Sequence, residues 1–229
     1  MKHIGKSYDK VDAKGILSGK PSYTGDFVPK DALIIKVLRS PHAQARIKSI
    51  DTSKAKLIPG VEAIFTYEDV PNTRFTLAGQ TYPEPSAYDA LILDPVVRYV
   101  GDEVALIVAK DEATALKAMP LIKVEYDVQK PVLDLRTAMD HETVVHPEDD
   151  ILNHIPVGQD YKRNICVSYH KRVGDIEGEL AKCDYVVEGT YFDQATRQSA
   201  MEPFQSFGYI DHLGRIVIIS STQIVFHVR

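Results

Sequence analysis

The stretch Glu103-Val-Ala-Leu-Ile-Val-Ala-Lys110, followed by residues 111–120 and by Leu121-Ile-Lys-Val-Glu-Tyr-Asp-Val128, decides the fold. The first run is apolar on both alternating faces, which is typical of a central strand covered on both sides. The middle segment opens with two acidic residues, has apolar residues at helical spacing and ends at a proline, as a short helix does. The last run alternates apolar and charged residues. Strand, helix and strand at this spacing predict an α/β unit.

Shorter predicted elements flank this unit on both sides. Prolines between residues 71 and 95 predict an irregular excursion, and residues 129–164 are interpreted as a linker with one helical turn near 134–139. A second region is predicted to open at Ile165. The remaining predictions are strands at 32–39, 45–51, 61–66, 165–171, 185–192, 204–211 and 215–220, and helices from Thr52 or Ser53 to Leu57 and from Asp175 to Lys182.

Composition excludes several classes of protein. The chain has 229 residues, a formal net charge of −5 and 44% hydrophobic residues, which fits one or two globular domains. It has no run of basic residues for nucleic acid, no apolar stretch long enough for a membrane span and no export signal. Two cysteines, Cys166 and Cys183, cannot form a disulfide framework and are predicted to be core thiols in a reduced, cytoplasmic protein. A strand pattern runs from Arg215 to Arg229 without a terminal turn or cap. We therefore expect this sequence to be a piece of a larger polypeptide.

Few residues indicate a catalytic, metal or cofactor site by sequence spacing alone. His141 and His146 lie five residues apart, which does not place them on one helix face as a zinc pair requires, and no phosphate-binding glycine loop occurs. Glu202 lies between two predicted strands, where a carboxylate is either a structural group with hydrogen-bond partners or a base with a raised pKa; the structural interpretation is favoured. Gln223 follows a strand and offers an uncharged hydrogen-bond donor, or is a surface glutamine.

Four ordered blocks resemble one known family. They are Ser40-Pro-His-Ala-Gln-Ala-Arg-Ile-Lys-Ser-Ile-Asp51, then Pro59-Gly-Val-Glu-Ala-Ile-Phe-Thr66, then Arg98-Tyr-Val-Gly-Asp-Glu-Val-Ala-Leu-Ile-Val-Ala109, and finally Met201-Glu-Pro203 with Ser221-Thr-Gln223. Together they are similar to the large, molybdenum-binding subunit of the xanthine dehydrogenase and aldehyde oxidase family, the molybdenum hydroxylases. The resemblance implies an α+β fold with an α/β hammerhead domain at residues 14–130, a linker at 131–164 and the beginning of a molybdenum-cofactor-binding domain at 165–229.

The resemblance also implies a function. Gln223 matches the family glutamine that hydrogen-bonds the oxo ligand on molybdenum. No residue of this chain matches the catalytic base, which is expected beyond Arg229, and no residue binds the metal directly. The family hydroxylates purines, related N-heterocycles or aldehydes with oxygen from water, using a molybdopterin-type cofactor, and passes electrons to iron–sulfur clusters and FAD on partner subunits or domains. The alternative is a non-catalytic assembly module that docks an iron–sulfur or flavin subunit.

Overall fold

The computed structural model describes residues 3–20, 23–77 and 83–224, grouped in two compact units. Residues 33–187 form one unit; residues up to 32 and from 188 onward form the other. The helices are α1 (Ala13–Leu17), α2 (Ser53–Lys56), α3 (Glu112–Ala118) and α4 (Ile176–Leu180). The strands are β1 (Ile34–Arg39), β2 (Ala45–Asp51), β3 (Val61–Phe65), β4 (Val96–Val97), β5 (Glu103–Ala109), β6 (Lys123–Val128), β7 (Ser206–Ile210) and β8 (Ile216–Ser220). Short 3₁₀ turns include Thr24–Phe27, Leu135–Thr137 and Tyr161–Arg163.

Residues 33–187 build two antiparallel three-stranded sheets. In the first, β5 lies between β1 and β3; in the second, β2 lies between β4 and β6. The predicted central position of the strand near residues 103–110 is therefore confirmed. The predicted strand, helix and strand of residues 103–128 are present, but β5 and β6 belong to different sheets, so α3 connects the two sheets. Strands β5 and β6 are consecutive in the sequence but do not pair with each other.

Each sheet has its own apolar core. Helices α2 and α3 cover one face of the first sheet, and Ile107 of β5 is fully buried beneath them. Alanines on both helices and on β5 let the backbones approach closely, because they add little bulk at the contact. The carboxylate of Asp111 caps α3 by accepting the Thr114 N–H at 2.7 Å. The second core consists of Ala45, Ile47, Val97 and Val104.

Two predicted strands of the second region are wrong. Residues 165–171 contribute only one isolated bridge, between Asp160 and Ile165, and residues 185–192 form no strand. The side chains of Tyr185 and Tyr191 are 90% and 93% exposed. A strand needs a neighbour for its backbone groups, and no described residue pairs with 185–192. The helix predicted at 175–182 forms as α4, and the turn predicted near 134–139 forms as a 3₁₀ turn.

The prediction that both cysteines are core thiols is also wrong. Cys166 and Cys183 are free and exposed. Cys183 follows α4, a helix without buried residues, and its thiol contacts the Glu179 carbonyl at 3.4 Å. The segments beside the two cysteines contain apolar residues. No other part of the described chain buries either cysteine, however. In the same described ranges, no helix is long and apolar enough to cross a membrane.

The predicted domain boundaries stay a prediction. Residues 131–164 are not an isolated linker in the structure, because several of them hydrogen-bond to residues of the hammerhead region. Thr143 Oγ1 donates to the Lys130 carbonyl at 2.7 Å, and Arg98 Nε donates to the Val145 carbonyl at 3.1 Å. The segment predicted as a linker therefore packs within the larger unit.

Candidate cofactor-contact site

The hairpin of β7 and β8 positions Gln223. Its turn is held by Asp211, whose Oδ1 accepts the N–H groups of Leu213 and Arg215 at 2.9 Å each. Gly214 has a φ of 75°, a left-handed conformation that glycine adopts without steric cost. The hydrogen bonds from Arg215 hold the pKa of Asp211 below its usual value, although partial burial opposes this. The hairpin predicted around residues 212–214 is confirmed.

The three residues after β8 have different roles. Ser221 fixes the strand end to Gln205: its N–H donates to the Gln205 carbonyl at 3.1 Å, and its Oγ accepts the Gln205 N–H at 3.2 Å. Thr222 Oγ1 accepts the Ile224 N–H at 3.1 Å. The Gln223 side chain is exposed and forms no hydrogen bond with any described residue. Serine and threonine thus hold the backbone, and no residue in the described ranges hydrogen-bonds to the carboxamide of the glutamine.

Glu202 has a structural partner. Its Oε1 accepts the backbone N–H of Thr24 at 3.1 Å, and Thr24 is only 7% exposed at the start of the 3₁₀ turn Thr24–Phe27. The carboxylate therefore fastens the N-terminal segment to the chain before β7. This contact supports the structural interpretation of Glu202 over the catalytic one.

A buried charge cluster around Arg98 was not foreseen from the sequence. The guanidinium donates to Asp94 Oδ2 at 2.8 Å and to Glu148 Oε1, and the side chains of these three residues are between 11% and 19% exposed. Burial raises the pKa of Glu148, but the neighbouring His146 side chain, a hydrogen bond from its own backbone and the charge of Arg98 lower it to about 2. In the sequence, only the acidic run at 148–150 hints at this charge cluster, and such a run is equally typical of a solvated linker.

The two histidines take separate partners. His141 Nδ1 accepts the Thr143 N–H at 3.0 Å. His146 Nδ1 lies 3.5 Å from Glu148 Oε2, and its Nε2 lies 3.9 Å from Asp89 Oδ2. Among the residues that the structure describes, no three His, Cys, Asp or Glu side chains are grouped as metal ligands would be.

A cavity of about 570 Å³ lies beside this cluster, between residues 85–89 and 132–167. Most of its polar groups serve the fold. Asn164, in the left-handed region with a φ of 59°, accepts the Val145 N–H at 2.8 Å and donates to the carbonyls of Ala138 and Thr143 at 2.9 Å each. Tyr161 donates to Asn153. The sequence did not indicate this cavity, because its walls come from segments without regular structure.

Comparison with protein families gives two matches in chain order. Residues 18–130 match the a/b hammerhead domain of aldehyde oxidase and xanthine dehydrogenase, and residues 157–229 match the molybdopterin cofactor-binding domain. The two matches cover most of the chain. The second begins before the Ile165 at which the sequence predicted this region to open.

Curated relatives and solved structures agree with these matches. The chain is 38% identical to a probable hypoxanthine oxidase, XdhD, of Escherichia coli O157:H7, over 99% of this chain and 26% of the relative. It is 31% identical to the xanthine dehydrogenase molybdenum-binding subunit of the same organism, over 96% of this chain and 28% of the relative. The aldehyde oxidoreductase of Desulfovibrio gigas has the same fold, with a TM-score of 0.76 and 24% identity over 98% of this chain and 25% of that structure.

The chain spans about a quarter of the length of these relatives. The hammerhead sheets, the order of the two domain matches and the relatives all agree with the resemblance seen in the sequence. The chain therefore belongs to the aldehyde oxidase and xanthine dehydrogenase family of molybdenum hydroxylases, and it is an N-terminal portion of the large subunit.

Proposed function

We propose that this chain forms part of a molybdenum hydroxylase that oxidises a purine or a related N-heterocycle with oxygen from water. The substrate class is supported by the relatives named hypoxanthine oxidase and xanthine dehydrogenase. The proposed enzyme is cytoplasmic, and partner subunits or domains hold its iron–sulfur clusters and FAD. Within it, residues of this chain build the hammerhead domain and contribute to the surface that binds the cofactor.

The exposed carboxamide of Gln223, which no described residue engages, carries the proposal. When bound, the molybdenum cofactor supplies the two-electron redox chemistry of hydroxylation. The exposed Gln223 side chain fits that group, because a neutral amide donates hydrogen bonds to an electron-rich oxygen at any working pH. The hydrogen bonds between Ser221 and Gln205 anchor the backbone at the end of β8, two residues before Gln223.

The proposal assigns no base to the described residues. Glu202 is engaged with the Thr24 N–H, and the base that deprotonates the attacking group is placed in polypeptide beyond residue 229. Gln223 orients and stabilises the cofactor, and removal of a proton is assigned to the rest of the subunit. Residues 1–229 alone are therefore catalytically incomplete in this proposal.

The test uses the complete large subunit, assembled with its partner subunits. Gln223→Ala removes one hydrogen-bond donor to the cofactor, so we expect kcat for hypoxanthine to fall by roughly 10- to 100-fold, with an unchanged molybdenum content. Gln129→Ala is the matched control, because Gln129 is also exposed and its one hydrogen bond among the described residues runs from its backbone N–H to the Gln44 carbonyl. This control is expected to keep full activity.

Two results separate the proposal from its alternative. An unchanged kcat in Gln223→Ala would remove the assigned role of this glutamine. A chain that copurifies with iron–sulfur or flavin subunits but contains no molybdenum and oxidises no purine would support the assembly module instead.

A further inference from the structure

The hairpin of β7 and β8 is held together just outside its two strands. The Ser221 N–H donates to the Gln205 carbonyl at 3.1 Å, and Ser221 Oγ accepts the Gln205 N–H at 3.2 Å. The last pair of the ladder, Ser206 with Ser220, lies next to this contact. Gln205 is therefore the partner that holds the chain as it leaves β8, two residues before Gln223.

The chain before β7 is also attached to the 3₁₀ turn Thr24–Phe27. A Cβ atom on Gly25 would lie 2.9 Å from Gln205 Nε2, so the backbone of the turn faces the Gln205 carboxamide at close range. Glu202 Oε1 accepts the Thr24 N–H at 3.1 Å. All of these residues belong to the same compact unit. The turn thus meets this segment of the chain at two places.

The turn has hydrogen bonds of its own. The Tyr23 N–H donates to Asp26 Oδ2 at 3.1 Å, and the Asp26 N–H donates to the Tyr23 carbonyl at 2.9 Å. The first N–H group of a helical turn has no partner within the turn, and that of Thr24 donates to Glu202 instead. Because Thr24 is only 7% exposed, Glu202 supplies the acceptor that a buried N–H group requires.

The contact of Glu202 with Thr24 needs an acceptor oxygen and no negative charge. A glutamine side chain offers such an oxygen in the same place, but only a carboxylate can take up a proton in a reaction. Substitution by glutamine therefore separates two roles of Glu202. An anchoring role survives it, whereas a role as a base does not.

We propose that Glu202 is a positioning residue for Gln223. Glu202 anchors the chain before β7 on the turn Thr24–Phe27, and Gln205 in that chain anchors Ser221 at the end of β8. Displacing a positioned group lowers the rate of a reaction although the group itself is intact. The inference rests on the proposed function, because Glu202 acts on turnover only through Gln223.

Hydrogen exchange tests the anchoring without an assay of activity. The complete large subunit, assembled with its partners, is compared with its Glu202→Ala variant, and peptides that cover residues 216–223 are followed by mass spectrometry. We expect their amide protons to exchange roughly fivefold faster in the variant, because loss of the anchor favours local opening. The matched control is Glu188→Ala, which is expected to leave exchange unchanged. Glu188 is exposed and has no ion pair or hydrogen bond with any described residue.

Hypoxanthine turnover tests the coupling to Gln223. We expect Glu202→Ala to lower kcat by roughly 3- to 10-fold, with KM and molybdenum content unchanged. Glu202→Gln is expected to keep kcat, because its amide oxygen accepts the Thr24 N–H. In the Gln223→Ala background, Glu202→Ala should cause no further loss, since residues that act through one group are not additive. If Glu202→Ala does not assemble, Ser221→Ala gives the same test from the other end of the anchor.

Several results overturn the inference. Equal losses of kcat in Glu202→Ala and Glu202→Gln would show that the reaction needs the charge of Glu202. A full additional loss in the Gln223→Ala background would place the effect of Glu202 elsewhere, and unchanged exchange at residues 216–223 would show that nothing is anchored. If kcat falls in Gln223→Ala but not in Glu202→Ala, this inference fails and the proposed function stands. An unchanged kcat in Gln223→Ala removes both.

Discussion

The sheets within residues 33–187 and the hairpin of β7 and β8 have similar apolar sequence patterns, but their apolar side chains are buried to very different extents. Ile107 in β5 is fully buried between β1, β3 and two helices, whereas Ile218 in β8 is 68% exposed. Ile210 and Ile216, paired across the hairpin, are 72% and 79% exposed. The difference shows that alternation sets which way side chains point, while neighbouring elements decide whether they are buried. Helices α2 and α3 cover one face of the first hammerhead sheet, whereas the described residues leave these three isoleucines of the hairpin mostly exposed.

The largest expected effect compares one isoleucine from each region. Ile107→Ala leaves a cavity in a closed core, so we expect it to lower the free energy of unfolding by about 3 kcal/mol. Ile218→Ala removes an exposed side chain, and we expect a loss below about 0.5 kcal/mol in the 229-residue chain. Urea unfolding followed by circular dichroism measures both, since the chain has no tryptophan. Equal losses in the two variants would mean that the hairpin is as well packed as the sheets.

The next effect concerns the charge cluster that holds residues 145–148 to the hammerhead region. Glu148→Gln leaves Arg98 with Asp94 as its remaining carboxylate partner, and we expect the free energy of unfolding to fall by about 2 kcal/mol. The control is Glu142→Gln, which breaks the exposed ion pair with Lys130 and is expected to cost less than about 0.5 kcal/mol. A loss in Glu148→Gln no greater than in this control would show that the cluster is not stabilising.

The pH dependence of stability is a second test of whether the charge cluster around Arg98 stabilises the fold. The pKa of Glu148 is about 2 in the folded protein against an ordinary 4.5, so its ionised form stabilises the fold above about pH 4.5. This contribution is lost as the pH falls from 4.5 toward 2, where the carboxylate becomes protonated. We therefore expect the wild-type chain to lose more stability than Glu148→Gln between pH 6 and pH 3, by urea unfolding at each pH. Parallel curves for the two proteins would contradict this assignment.

Local structure in the hammerhead region could be predicted well from the sequence. The strand predicted at residues 45–51 is β2 without any change, and the helix between Asp111 and Pro120 forms as α3 with Asp111 as its cap. These elements depend on alternation, capping and proline, which act over a few residues. Strand pairing depends on distant residues, and the placement of β5 and β6 in separate sheets was not predicted.

The errors have a common physical cause. The strand predicted at residues 185–192 has suitable residues but no described partner, and the cysteines expected in a core lie beside elements without cover. The Arg98 cluster joins residues 50 positions apart, a separation at which sequence patterns carry no signal. For the candidate site, the Ser-Thr-Gln motif indicated Gln223 through its resemblance to the family, and the structure adds that Ser221 and Thr222 are engaged with the backbone.

The most direct test of the central claim is purine oxidation by residues 1–229 alone, measured beside the complete large subunit with its partners. The account predicts that the complete enzyme binds molybdenum and oxidises hypoxanthine or xanthine, while residues 1–229 do neither, because the base and most of the cofactor-binding core are placed outside them. Turnover by residues 1–229 alone would contradict the account.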